Sequence, residues 1–193
     1  MSIELLFDEL LHQLGEQRRP PVQQWQPASG GRIDIRIDRD GYWFYEGGRI
    51  SRDAIVRLFA GILRRDEDGY VLVTPVERLL IQVDDVPFVA VDFEVRGASE
   101  RAPALRTVTG PAALPETDFL FTTNVGDLVL VDAAHPLWLG GDDQQTPYIR
   151  VRDRLDARIA RAAYYRLLDH AVVVDETAVL HSSGTTFTLG STV

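Results

Sequence analysis

The sequence predicts an α+β protein built from two similar strand–helix–strand units. Each unit is expected to hold an antiparallel sheet with one main helix, and an extra helix precedes them both. Three observations predict this. Short runs alternating apolar and polar residues recur along the chain. Two longer stretches, 52–65 and 152–170, read as helices of four or five turns. Those helices start about 100 residues apart, a spacing compatible with a duplicated unit.

The elements follow in order. "MSIELLFDELLHQLGEQ" places Ile3, Leu6, Phe7, Leu10, Leu11 and Leu14 at helical spacing, which sets an N-terminal helix over 1–19. Acidic residues interrupt it and no cleavage site follows, so it does not read as a signal peptide. No run approaches the roughly 20 apolar residues of a membrane span. The first domain is expected over 20–97. Ile33–Ile37 alternates as a half-buried strand, Asp38–Gly41 is a turn, and Tyr42–Glu46 is the return strand. Ser51 is positioned to cap a helix over 52–65, with Ile55, Leu58, Phe59, Ile62 and Leu63 as its buried stripe. Arg64 and Arg65 would complement the dipole in its last turn. "YVLVTPVERLLIQV" reads as a strand interrupted by an edge position or bulge at Thr74–Pro75, and "PFVAVDFEV" as the next strand. Composition shifts to Ala, Pro, Gly and Thr over 96–117, the expected linker, with 105–108 a candidate short strand. The second domain, 98–193, continues with strands at "FLFTT", "DLVLVD", "PLWLG" and "YIRV". A helix over 152–170 follows, then strands at "AVVVD", "TAVLH" and "TTFTLG".

The first hairpin admits two registers. A two-residue turn at Asp40–Gly41 would pair Ile37 with Phe44 and put Trp43 and Tyr45 on the outer face beside Arg36. A type I turn over Asp38–Gly41, with Gly41 left-handed, would pair Ile37 with Trp43. Trp43 and Tyr45 would then be core, and Tyr42 and Phe44 would face outward with Arg36. Asp at the first position and Gly at the fourth favour the second arrangement.

Bulk composition narrows the function classes. The chain has 193 residues and a formal charge of −9, which disfavours nucleic-acid polymers and anionic membranes as partners. All 20 basic residues are arginine, so every cation is a planar, bidentate-capable donor. There is no cysteine, which excludes disulfides, thiolate catalysis and zinc–thiolate sites and fits a cytoplasmic protein. His12, His135, His170 and His181 lie far apart, and none is read as having a His or carboxylate at metal-ligand spacing. "HSSGTTF" (181–187) is a hairpin turn, since neighbouring strand residues point to opposite faces. Asp66–Asp68, Asp84–Asp85 and Asp142–Asp143 sit in turns, where Asp is favoured for backbone reasons. Neither "GGR" (47–49) nor "GGDD" (140–143) has the context of a phosphate loop. No catalytic residue, metal site or cofactor is therefore expected. One charge feature stands out. From Arg150 to Arg166 six arginines face two carboxylates, a local charge of +4. On the expected helix Arg154, Arg158 and Arg161 would share one face. Such a face is either solvated and paired with the protein's own acids, or a site for oxyanions.

Several stretches carry a resemblance. "PPVQQW", "DGYWFYEG", "LRRD", "YVLVTPVE" and "DVPF", then "TTNVGD", "HPLWL" and "PYIRVRDRLDARIARAAYY", resemble the bacterial domain-of-unknown-function family number 1285 over nearly the whole chain. Gly48–Arg49 departs from the Ser-Pro of the family pattern. The resemblance implies a duplicated architecture whose C-terminal part is similar to pleckstrin-homology-type folds. It also implies a ligand site between the two domains, for a nucleotide-like molecule, with a signalling role. Candidate binding residues carried over by motif are Trp25, Arg36, Trp43, Arg52, Arg64, Thr74, Pro75, Glu77, Asn124, Tyr148, Arg150 and Arg158. The function expected is a non-enzymatic module binding a small anionic or nucleotide-like ligand. The alternatives are a hydrolase-like enzyme and a protein-interaction adaptor.

Overall fold

The computed structural model describes Leu10, residues 20–97, 106–107, 117–142 and 145–191. The expected helix over 1–19, Leu10 apart, and most of the expected linker lie outside those residues. The chain divides into two compact units, Met1–Pro87 and Phe88–Val193. No helix among the described residues is long and apolar enough to cross a membrane.

The fold class differs from the sequence expectation. Strands take 54% of the described residues, arranged in three sheets, and only two short α-helices accompany them. In the first unit the strands are β1 (Ser29–Ile37), β2 (Trp43–Tyr45), β3 (Gly48–Arg49), β4 (Leu63–Asp66), β5 (Gly69–Val73) and β6 (Glu77–Val83). They form one sheet in the order β3-β2-β1-β6-β5-β4. Helix α1 (Asp53–Gly61) lies between β3 and β4. The second unit begins with β7 (Phe88–Gly97), β8 (Arg106–Thr107), β9 (Thr117–Thr123), β10 (Leu128–Leu130), β11 (Leu137–Gly140), β12 (Thr146–Arg152) and β13 (Leu155–Ile159). After α2 (Arg161–Leu168) come β14 (Val172–Val174), β15 (Thr177–Ser182) and β16 (Thr185–Ser191). Six of these strands make a sheet in the order β10-β9-β7-β13-β12-β11, and four make another, β16-β15-β14-β8. The two six-stranded sheets share one plan: two antiparallel three-strand meanders joined by a parallel pair, β1 with β6 and β7 with β13. The helices do not share a plan, since α1 joins the two meanders of its sheet whereas α2 follows the second. The all-antiparallel, pleckstrin-homology-like arrangement expected of the second unit is likewise replaced by two sheets, each with a parallel pairing.

Both helix expectations overran into strands, for the same physical reason. "LRRD" does not end a helix. It is β4, paired with β5 through Leu63–Leu72 and Arg64–Val71. Ser51 does not cap α1 either, whose N-cap is Arg52 without a side-chain bond. In the second unit Leu155, Ala157 and Ile159 are buried while Asp156 and Arg158 are not, a period of two that makes β13 a strand. Arg154 therefore sits in a turn, Arg158 on a strand and Arg161 at the start of α2, so they share no helix face. "YVLVTPVERLLIQV" is two antiparallel strands. Thr74 closes their turn, its N–H donating to Glu77 O at 2.9 Å and its Oγ1 accepting from Glu77 N at 3.1 Å.

The first hairpin adopts the register that Asp38 and Gly41 favour. Ile37 pairs with Trp43 and Arg36 with Phe44. Gly41 has φ 77° and donates to Asp38 O. Asp38 Oδ1 takes the N–H groups of Asp40 and Tyr42, both at 2.9 Å. Trp43 is 1% exposed and meets Phe59 of α1 at 6.1 Å between ring centres. Tyr45 is only half-buried.

The second unit is centred on Phe93, Phe119 and Phe121, which meet at 5.3–5.8 Å. His170, just after α2, turns its ring edge-on to Phe93 and Phe119 at 5.9 and 5.4 Å. Burial there holds the imidazole below its ordinary value of 6.5, against the opposing pull of Asp169. The unfolded chain therefore takes up a proton on this residue at a pH where the folded chain does not. Stability is complete above about pH 6.5 and falls as pH drops from there toward the lower folded value. Urea unfolding from pH 8 to 5 is expected to show a steeper loss in the wild type than in His170→Gln. Equal pH slopes would contradict this.

Candidate functional site

Most of the motif residues prove to have structural partners. In the first unit Arg64 Nε and Nη2 reach the two oxygens of Asp66 at 2.7 and 3.0 Å. Its Nη1 donates to the carbonyls of Val22 and Trp25, both at 2.8 Å. Arg78 joins Asp66 from β6 at 2.7 Å and also pairs with Asp68. The Asp66 carboxyl is held below its ordinary value by Arg64 first and Arg78 second. "PPVQQW" and "LRRD" thus belong together as a clamp, with Arg64 fastening the 3-10 turn at Val22–Gln24 to β4. Trp43 is core. Thr74 closes a turn, with Pro75 exposed and Glu77 half-buried in it. Arg52 is exposed at the start of α1. Arg36 faces outward beside Phe44 and pairs with Asp84, and its guanidinium holds that carboxyl below the usual range. Asn124, from "TTNVGD", clamps both sides of Val89 by accepting its N–H at Oδ1 (3.0 Å) and donating to its carbonyl (2.8 Å).

Three candidates are gathered on one face of the β11-β12-β13 meander. Ile149 and Val151 point to one side of β12, so Tyr148 and Arg150 point to the other, where Tyr148 is also buried and Arg150 half-buried. The register places Tyr148 between Trp138 of β11 and Arg158 of β13. Trp138 and Tyr148 stack at 5.7 Å with 19° between their planes. Gly140 lies close against the stack: a Cβ there would meet the Tyr148 ring at 3.3 Å and Trp138 Nε1 at 3.4 Å, a tight fit that would make both rings give way slightly. The guanidinium carbon of Arg150 lies 5.9 Å from the Trp138 ring centre. Its Nε pairs with Asp156, directly opposite on β13, and its Nη1 donates to Asp153 O at 3.1 Å. Arg158 follows Asp156 on the same face. Nearby, Arg152 pairs with Asp127 and stacks on Phe88 at 4.9 Å. The β12–β13 turn adds Arg154, which is exposed. Four arginines and two aspartates thus occupy 150–158, a local charge of +2.

Residues 20–86 match "Domain of unknown function (DUF1285), N-terminal domain" and residues 87–189 match "Protein of unknown function (DUF1285), C-terminal domain". The chain belongs to the DUF1285 family. It is 40% identical to a DUF1285 family protein from Silicibacter pomeroyi DSS-3 of known crystal structure. That match covers 96% of this chain and 94% of the other, with a TM-score of 0.81. A second DUF1285 crystal structure, from Shewanella baltica OS155, is 28% identical over 70% of this chain and 91% of its own, with a TM-score of 0.50. No curated protein matches.

Within this DUF1285 fold, sequence spacing missed Trp138, Gly140 and Asp156, which complete the face around Tyr148, Arg150 and Arg158. The signal was the period of two in "PLWLG" and "LDARI", which sets these residues on strands. It also missed the partner of His135. Asp132 Oδ1 lies 2.9 Å from His135 Nδ1 and accepts the backbone N–H groups of Ala134 and His135 at 2.9 and 2.8 Å. That pattern is a capped turn. Among the described residues no group of three or more His, Asp or Glu is placed to hold a metal ion.

Proposed function

We propose that this DUF1285 protein is a binding module whose second unit takes a small planar anion of the nucleotide type on the Trp138–Tyr148–Arg150–Arg158 face. The observation that carries the reading is Arg150 held over Trp138 with Arg158 one strand away. The half-buried Trp138, backed by the buried Tyr148, attracts a flat ring, and guanidinium groups beside it suit a phosphate. The surplus of arginine over aspartate in 150–158 supplies local attraction in a chain that is otherwise acidic.

A thermal-shift comparison of adenosine, inorganic phosphate and adenosine 5′-monophosphate checks this. The monophosphate is expected to raise Tm most, since a ligand at 100 times its dissociation constant adds about 2.7 kcal/mol. Higher salt should weaken the shift. Identical melting with and without all three compounds would contradict the proposal.

A further inference from the structure

We infer that Asp156 is a positioning residue for the anion site, aiming Arg150 so that its remaining nitrogen, Nη2, is the donor presented to the ligand. This rests on the binding reading above. Asp156 stands opposite Arg150 in the β12–β13 register and takes its Nε. The Asp153 carbonyl takes Nη1 at 3.1 Å. Two of the three guanidinium nitrogens are thus fixed, one from β13 and one from the β12–β13 turn, and the group lies over Trp138. Among the described residues Nη2 has no partner. An arginine free to rotate would lose much of its side-chain freedom on gripping an anion, and one already held loses less.

The geometry separates two roles that Asp156 could play. As a mere counter-charge, its removal would strengthen anion binding, because the face becomes more positive. As a positioning group, its removal weakens binding despite the added positive charge. The Asn variant distinguishes them further: its amide oxygen can still accept from Arg150 Nε, so the aim survives while the negative charge is gone.

The test is calorimetric titration of adenosine 5′-monophosphate into the full-length wild type, Asp156→Ala, Asp156→Asn and Arg150→Lys. Asp156→Ala is expected to bind about tenfold more weakly than wild type, as is Arg150→Lys, which keeps the charge but lacks the fork. Asp156→Asn is expected to bind at least as tightly as wild type. Asp156→Ala binding as tightly as wild type, or tighter, overturns the inference and leaves the binding site standing. Wild type that binds nothing overturns both. If Asp156→Ala fails to fold, Arg150→Lys and Asp156→Asn decide alone: undiminished binding by the first, or a loss in the second matching Arg150→Lys, overturns the positioning role.

Discussion

Ser182→Ala is expected to lower the stability of the protein by about 3 kcal/mol. Ser182 is fully buried at the end of β15. Its Oγ accepts the N–H of Phe119 at 3.2 Å and donates to the carbonyl of Val131 at 2.7 Å. Val131 in turn donates its own N–H to Phe119 O at 2.9 Å. A regular antiparallel pair would exchange two direct bonds between those residues. Here one bond is direct and the hydroxyl is inserted into the other. The same hydroxyl fastens the four-stranded sheet to the six-stranded one. Alanine would remove it and leave a buried N–H and a buried C=O without partners, each costing about 1–3 kcal/mol. The neighbouring Ser183 is exposed and bonds Asp118, so Ser183→Ala should cost about 0.5 kcal/mol or less. Urea unfolding of both variants checks the pair. A loss below 1 kcal/mol for Ser182→Ala would mean that strands β9 and β10 close directly once the hydroxyl is gone.

Arg64→Ala is expected to cost about 2–3 kcal/mol, below the 3–5 of a fully buried pair because Asp66 keeps some solvent access and its second partner, Arg78. The variant leaves the Val22 and Trp25 carbonyls without their donor. The 3-10 turn should therefore loosen before the sheet does. Hydrogen exchange of amides in 20–27 is expected to quicken more than that of β5. Arg64→Lys should recover little, since an ammonium cannot span two carbonyls and both carboxylate oxygens. Full recovery by lysine would show that charge alone holds the turn.

Legibility followed the range of the interaction. The first hairpin was readable because its register is fixed by two local residues, Asp38 and Gly41, whose preferences act within four positions. The helix ends were not. "LRRD" and "LDARI" are short: the first has one apolar residue and so no readable period, and the second continues into a stretch that fits a helix. Pairing with β5 and with β12 decides them, and tertiary pairing overrides local propensity. The roles of Arg64 and Ser182 depend on partners 42 and 63 residues away in sequence, and no local pattern announces them. The family motifs pointed at many positions that matter, yet most serve the scaffold: Trp25 and Arg64 a clamp, Trp43 a core, Thr74 a turn, Asn124 a strand brace. The Trp138–Tyr148–Arg158 row required the register of three strands, which the expected helix over 152–170 concealed.

Calorimetric titration of adenosine 5′-monophosphate into the wild type, Arg150→Ala, Trp138→Ala and Arg36→Ala asks whether the second unit binds the nucleotide on this face. Saturable binding is expected for the wild type, with its loss in the two second-unit variants and its retention in Arg36→Ala, whose arginine lies in the other unit. Binding that survives unchanged in Arg150→Ala and Trp138→Ala, or that disappears only in Arg36→Ala, would contradict it.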